Sequence, residues 1–282
     1  MDDELLGRLR RFHDDAFPLY RSTFKQLVDD GQHPTTLFIG CSDSRLVPYL
    51  LTGTGPGELF LVRNVAAFVP PYDGYLHGPQ DACGVGPPGG RTPLEAAPRW
   101  VGPPDACGVG PPRGRTPLEA APRWVGFHGT AAAIEFAVLS LQVSRIIVCG
   151  HSHCGGIRAL YGGVPAAARN LAQWLELGRE AALPVAEPGP EVLRRTEQRS
   201  VVLQLERLMD YPMVREAVEA GRLTLHGWHY VIEDGEVHVF DLERGGFVPA
   251  SRADNAGTGP YAVQDVQTPP AGLDACGVPL IG

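Results

Sequence analysis

Lysine is all but missing from this sequence. Lys25 is the only one among 24 basic residues, and the rest are arginine. With the abundant Ala, Gly and Pro, this points to a GC-rich coding sequence, which concerns the genome and not the function. Basic charge as a whole is also short. Against 32 acidic residues it leaves a net charge of −8, which excludes an electrostatic surface for nucleic acid or an anionic membrane. No apolar run approaches the ~20 residues of a membrane-spanning helix. The N-terminus, M-D-D-E-L-L-G-R-L-R-R-F, lacks the basic start, apolar middle and small-residue cleavage site of an export signal. The expectation is a cytoplasmic protein with no membrane partner, whose cysteines stay reduced and form no disulfide framework.

What is present begins with those cysteines. Cys83, Cys107 and Cys276 each sit in an identical pentapeptide, D-A-C-G-V, whereas Cys41, Cys149 and Cys154 lie in or beside two strand-like motifs. From Arg145 the chain reads R-I-I-V-C-G-H-S-H-C-G-G-I-R-A-L. A β-branched run, Ile146 to Val148, ends in a polar turn that opens a helix, and open α/β sheets place their sites at the carboxyl ends of such strands. His151 and Cys154 form an H-x-x-C pair, close enough for both to hold one metal. Leu37 to Gly40 repeats the design and ends in Cys41-Ser42-Asp43-Ser44-Arg45. Together the two strand ends offer two thiolates and an imidazole, the N/S donor set that zinc prefers.

Around them the pattern predicts an α/β protein. Leu5, Leu9, Phe12, Ala16, Leu19, Phe24, Leu27 and Val28 recur at helical spacing, giving one or two amphipathic helices broken near Pro18. Glu58 to Asn64 is a second strand. Thr130 to Val143 reads as a helix starting at a Thr cap, and Ala166–Ala182 and Glu191–Met209 as further helices. Leu223–Val231 and Glu236–Leu242 alternate as a hairpin turning at Asp234-Gly235.

One block breaks this pattern. Residues 78–101 recur in register as 102–125, differing only at Gln80/Pro104 and Gly89/Arg113. The block is rich in Pro and Gly and has neither period, so it has little with which to build a core. Removing Pro79 to Gly129 leaves Y-D-G-Y-L-H-G-T-A-A-A-I-E-F-A-V, a smooth loop-to-helix junction. The domain organisation expected is one catalytic α/β domain over residues 1–250, interrupted by an insertion at 79–129. A polar, Pro/Gly-rich tail over 251–282 follows it. The rival reading makes the block a binding arm that presents Trp100 and Trp124 to a partner.

C-S-D-S-R at Cys41 and H-S-H-C-G-G at His151 together resemble the zinc site of the β-class carbonic anhydrases. The likeness extends to R-N-V-A at Arg63–Ala66, G-T-A-A-A-I-E-F-A-V before the central strand and L-H-G-W near the end. It implies a mainly parallel central sheet flanked by helices, with an N-terminal helical arm. It further implies one Zn2+ per chain on Cys41, His151 and Cys154, with a fourth position left for solvent. The activity implied is reversible hydration of carbon dioxide to bicarbonate and a proton. Asp43 and Arg45 would be the family's catalytic pair, with Asp43 orienting the attacking hydroxide and Arg45 holding Asp43. If Arg45 released it, Asp43 would itself close the open position.

The family has an open subtype and one that closes in this way. The closing subtype has Trp three residues before the first zinc cysteine, where this chain has Phe38. Gln32, Phe60, Val65 and Phe136 match the pocket of the open subtype, and the Gly155 N–H would lie near the substrate. In the family the glutamine and the last aromatic come from a partner subunit, so a homodimer or higher homo-oligomer is implied. Ala67 stands where the family usually has Asn. The bland readings make Cys149 core packing, its side chain pointing away from the turn, and make His226, His229 and His238 ordinary strand histidines. His153 competes with His151 only as a lesser candidate ligand. Two other functions are compatible with the same residues: a zinc hydrolase acting on carbonyl sulfide or carbon disulfide, and an inactive zinc-binding scaffold or bicarbonate sensor.

Overall fold

The computed structural model describes residues 4–72, 128–185 and 187–253. The repeat block and the final tail therefore lie outside the described residues, apart from His128, Gly129 and residues 251–253.

The chain begins as an exposed arm. Helix α1 (Glu4–Arg11) passes through a π-turn at Phe12–Ala16 into α2 (Phe17–Asp29), and none of these residues is buried in the chain. Pro18 sits in the first turn of α2, where its missing N–H costs nothing. The break expected near Pro18 is instead a π-turn in a continuous helical backbone, with Arg11, Ala16 and Phe17 all in the right-handed helical region.

Four strands then form a parallel set: β1 (Thr36–Cys41), β2 (Leu59–Asn64), β3 (Arg145–His151) and β4 (Thr224–Val231). β5 (Glu236–Asp241) and β6 (Gly246–Pro249) add to them antiparallel, so the six described strands run in the order β2-β1-β3-β4-β5-β6. The Asp234-Gly235 turn joins β4 to β5 with Gly235 in the left-handed region at φ 66°. This order places a crevice between the carboxyl ends of β1 and β3, because the chain leaves β1 for β2 on one side and returns as β3 on the other. Cys41 closes β1 and His151 closes β3. The topology itself brings the two motifs together.

Helices cover the sheet: α3 (Pro48–Thr52), α4 (Gly129–Glu135) with a π-turn to Ser140, α5 (Gly155–Gly162), α6 (Arg169–Glu176), α7 (Pro190–Met209) and α8 (Pro212–Glu219). The core has two parts. Leu37, Ile39, Ile146 and Val148 point to one side with Ile134, Val201, Leu208 and Tyr211. Phe38, Ile147 and Cys149 point to the other with Ile157, Leu160 and Leu175. β1 and β3 are thus apolar on both faces, as the centre of a covered parallel sheet requires.

Several local expectations need correction. Thr130 does not cap α4. Gly129 is the first helical residue, and buried Thr130 instead accepts a hydrogen bond from Asn64 Nδ2 at 3.1 Å. The helix expected over 166–182 is only α6 plus a single 3-10 turn at Arg179–Ala181, because the chain is still turning at 166–167 and breaks again at Gly178, which packs directly against the Phe68 ring. Cys149 is fully buried core, yet strand alternation puts it on the same face as His151, and it packs in the cluster that includes Cys41 and Cys154. Strand β6 and helices α3 and α8 were not foreseen.

Candidate metal centre

Two strand ends and two loops build the site. β1 delivers Cys41, and the turn after it carries Asp43 and Arg45. β3 delivers His151, and the turn into α5 carries Cys154 as the residue before the first helical turn. Cys41, His151 and Cys154 are all buried, and their ligand atoms lie within 4.8 Å of one another. The two sulfurs are 4.0 Å apart. Two thiolates bound about 2.3 Å from a tetrahedral ion would stand roughly 3.8 Å apart, so the separation suits a shared zinc.

The donor atoms are prepared for a metal. His151 Nδ1 donates to the Ser152 carbonyl at 2.8 Å, which leaves Nε2 as the free lone pair of the neutral ring. That Nε2 is buried and has no hydrogen-bond partner among the described residues. An orphaned buried acceptor is costly unless something occupies it. Cys41 Sγ accepts the backbone N–H groups of Asp43 and Ala66, both at 3.4 Å. The Cys154 thiol beside it and His151 pull the Cys41 pKa well below the ordinary thiol value, against the opposing effect of burial. Cys41 and burial in turn raise the Cys154 pKa, and a cation bound by both sulfurs would favour their deprotonated forms. Burial works against a charged His151, but Cys41, the Ser152 carbonyl and Asp43 together raise its pKa.

Asp43 and Arg45 form a forked pair. Arg45 Nε donates to Asp43 Oδ1 at 2.9 Å and Nη2 to Oδ2 at 2.8 Å, while the Arg45 backbone N–H also donates to Oδ1 at 3.0 Å. Arg45 thereby holds the Asp43 carboxyl well below the usual carboxylate range. Asp43 Oδ2 lies 3.9 Å from His151 Nε2. Arg45 Nη2 also donates to the His153 carbonyl at 3.2 Å, tying the β1 turn to the β3 turn. Arg63 completes the frame from β2, with Nε on the Cys41 carbonyl at 3.1 Å and Nη2 on the Asp43 carbonyl at 2.6 Å. The R-N-V-A motif marked Arg63 in the sequence, but not this grip on the backbone.

The remaining site candidates divide. Phe60 and Phe136 lie together, ring centroids 5.7 Å apart, and Val65 is partly exposed beside Ala66. The Val65 carbonyl is fixed by Trp174 Nε1 at 2.8 Å. Gly155 opens α5, exposed, next to Cys154. Gln32 sits exposed in the α2–β1 loop and makes no hydrogen bond among the described residues. His153 is 55% exposed on its side chain and pairs with Glu233 at 3.3 Å, turned away from the ligand cluster. His226 is buried and bonded to Thr224, and burial lowers its pKa to about 3, so it stays neutral in the strand. Ala67 is buried with φ 56° and follows Ala66 at φ 64°. Asn tolerates this left-handed conformation better than Ala, which gives the family's usual residue there a physical reason.

A family model described as carbonic anhydrase matches residues 36–82 and 117–237. A carbonic anhydrase of Pseudomonas aeruginosa is 34% identical over 247 residues, covering 84% of this chain and 87% of that protein. One of Synechocystis sp. is 30% identical over 256 residues, covering 88% of this chain and 74% of that protein. Among solved structures, the β-carbonic anhydrase CcaA superposes with a TM-score of 0.65 at 29% identity, covering 87% of this chain and 90% of that one.

Proposed function

Because the chain belongs to the β-class carbonic anhydrases, we propose that Cys41, His151 and Cys154 hold its zinc and that Asp43 and Arg45 are its catalytic pair. The enzyme hydrates carbon dioxide reversibly to bicarbonate and a proton, and it uses zinc. The observation that carries the residue assignment is the buried trio of donor atoms at the β1–β3 crevice, one of them an imidazole nitrogen with no hydrogen-bond partner among the described residues.

Zinc held by these residues would supply an acidified water, though one less acidic than at a three-histidine site with its pKa of about 7, because two thiolates would cancel the ion's charge. The protein does the rest by orientation. Asp43 is locked in its ionised form by Arg45, so it accepts hydrogen bonds and does not donate them. An O–H of the attacking oxygen donated to Asp43 Oδ2 leaves that oxygen's lone pair turned towards the carbon. The apolar Phe60, Val65 and Phe136 would give carbon dioxide a wall that does not compete for the proton, and the N–H of Gly155, at the exposed start of α5 next to Cys154, would meet an oxygen of the product. The Asp43–Arg45 fork and Phe38 both support the open subtype.

The exposed arm supports a homodimer or larger homo-oligomer. Leu5, Leu9, Phe12, Leu19 and Val28 are between 48% and 80% exposed in the single chain, an apolar stripe that a second copy would cover. Sedimentation velocity is expected to give a dimer or larger species for the full chain. The Leu9→Asp/Phe12→Asp variant is expected to shift toward monomer, and a monomeric parent protein would contradict the reading.

No helix among the described residues is long and apolar enough to cross a membrane, and a reducing compartment such as the cytoplasm would keep Cys41 and Cys154 available to a metal.

The repeat block reads as an insertion with its boundary moved. His77-Gly78 and His128-Gly129 are the same dipeptide, so excising 77–127 leaves the same sequence as excising 79–129. His128-Gly129 starts α4 and therefore belongs to the enzyme. The break in the family match, 83–116, falls inside the block. A chain lacking 77–127 is expected to hydrate carbon dioxide in stopped-flow assays within about threefold of the full chain, as long loop additions cost little. Loss of activity in the deletion would make the block part of the site, and activity only in the deletion would make the full chain a blocked scaffold.

A further inference from the structure

A carboxylate in the middle of a helix that packs on a sheet is unexpected, because charged side chains are rarely fully buried unless paired. Glu197, on α7, is only 4% exposed. It is brought there by the close approach of α7 to the strand ends. A Cβ on Gly150 would meet Val201 Cγ2 at 2.7 Å, and one on Gly227 would meet Val201 Cγ1 at 3.0 Å, so α7 lies against β3 and β4 at two glycines. Glu197 is one turn before Val201 on the same helix face. From that position Oε1 accepts the Cys154 backbone N–H at 3.1 Å, and Oε2 meets His229 Nε2 at 3.1 Å. His229 is fully buried, sits opposite Gly150 in the β3–β4 ladder, and rests edge-on against Phe247.

We propose that Glu197, backed by His229, is a positioning residue that fixes the Cys154 main chain so that its thiolate meets the metal. This rests on the reading of Cys154 as a zinc ligand. A plain tie between helix and sheet does not account for the arrangement, since apolar residues of similar volume tie elements at least as well as a buried ion pair. What apolar residues cannot do is hold the N–H of a metal ligand. Cys154 precedes α5, so its N–H lies outside the helical ladder, while its carbonyl already accepts the Arg158 N–H at 3.0 Å. With Glu197 in place both ends of the Cys154 peptide are held, and only the side-chain torsion remains to place the sulfur. His229 holds the second carboxylate oxygen and so stops the carboxylate from turning.

The test compares Glu197→Ala, Glu197→Gln and Val201→Ala in the full chain by zinc affinity from chelator competition and by the thiolate-to-cobalt absorption of the cobalt-substituted protein. Glu197→Ala is expected to weaken zinc binding about 10–100-fold and to shift the cobalt band. Glutamine keeps an acceptor for the Cys154 N–H, and Glu197→Gln is expected to stay within about threefold of the parent. Val201→Ala, which loosens the same helix contact, is expected to melt earlier yet bind zinc as the parent does. Parent-like zinc affinity and cobalt absorption in Glu197→Ala would overturn the proposal, as would equal losses in the alanine and glutamine variants or in Val201→Ala. Failure of the parent protein itself to bind zinc, or to show the thiolate-to-cobalt absorption when cobalt-substituted, would instead overturn the ligand reading on which the proposal stands.

Discussion

Cys41→Ala is expected to lose both zinc and activity while the chain still folds. The cysteine closes β1 at the crevice, and on the proposed assignment its removal takes away one of three protein donors. Zinc sites with four ligands bind with about 10–16 kcal/mol, so one donor accounts for roughly 2.5–4 kcal/mol, or an affinity on the order of 10²–10³-fold weaker. The remaining pair, His151 and Cys154, then competes poorly with buffer and water for the ion. Folding has less at stake. The Cys41 side chain is small, and the β1 ladder to β2 and β3 runs through backbone groups that alanine retains. The expected result is native circular dichroism, a metal content well below one per chain and hydration too slow to measure. Zinc retained in full by Cys41→Ala would remove Cys41 from the ligand set.

Arg45→Ala is expected to cost about 10²–10⁴-fold in kcat, the range of a displaced acid–base or orienting group, with little change in metal content. Arg45 supplies both side-chain hydrogen bonds that hold Asp43 and is the main reason that its pKa is low. Without it the carboxylate rises toward its ordinary range and is free to swing. Its Oδ2 is already 3.9 Å from His151 Nε2, so the nearest attractive partner for a released carboxylate is the metal itself. Asp43→Ala is expected to lose comparable activity for a different reason, because the orienting acceptor is gone. If the proposed pair acts as one unit, the losses in Asp43→Ala/Arg45→Ala do not multiply, and the double variant is expected to be no worse than Arg45→Ala. Stopped-flow hydration across the four proteins reads this directly, and multiplicative losses would mean that the pair does not act as a unit. Arg45→Lys is expected to recover only part of the rate, because a point charge cannot hold both carboxylate oxygens in one plane.

The parts of the fold that were legible in the sequence are those with local signals. β1 and β3 are short β-branched or aromatic runs ending in polar turns, and the β4–β5 hairpin carries an Asp-Gly turn with Gly235 in the left-handed region. The two site motifs were legible for the same reason, each being contiguous along the chain. β6 was not, since Gly-Phe-Val-Pro is too short for a period and its proline argues against a central strand. It survives as an edge strand because β5 supplies the ladder. Helix α8 left one signal unused, the proline at its first turn after Tyr211. The contacts that frame the site were out of reach in a different sense. Glu197 meets the Cys154 N–H across 43 residues, and Arg63 reaches the Asp43 carbonyl across 20, so no spacing rule connects them. Their roles exist only after α7 has packed on the two glycines and β2 has paired with β1.

The most direct measurement is the zinc X-ray absorption spectrum of the purified full chain, with Cys41→Ala as the control. A shell of two sulfurs at about 2.3 Å, one imidazole nitrogen at about 2.0–2.1 Å and one further light atom is the expected result, with one sulfur lost in the control. A shell of light atoms alone, or one unchanged in Cys41→Ala, would contradict a zinc centre built where β1 and β3 end.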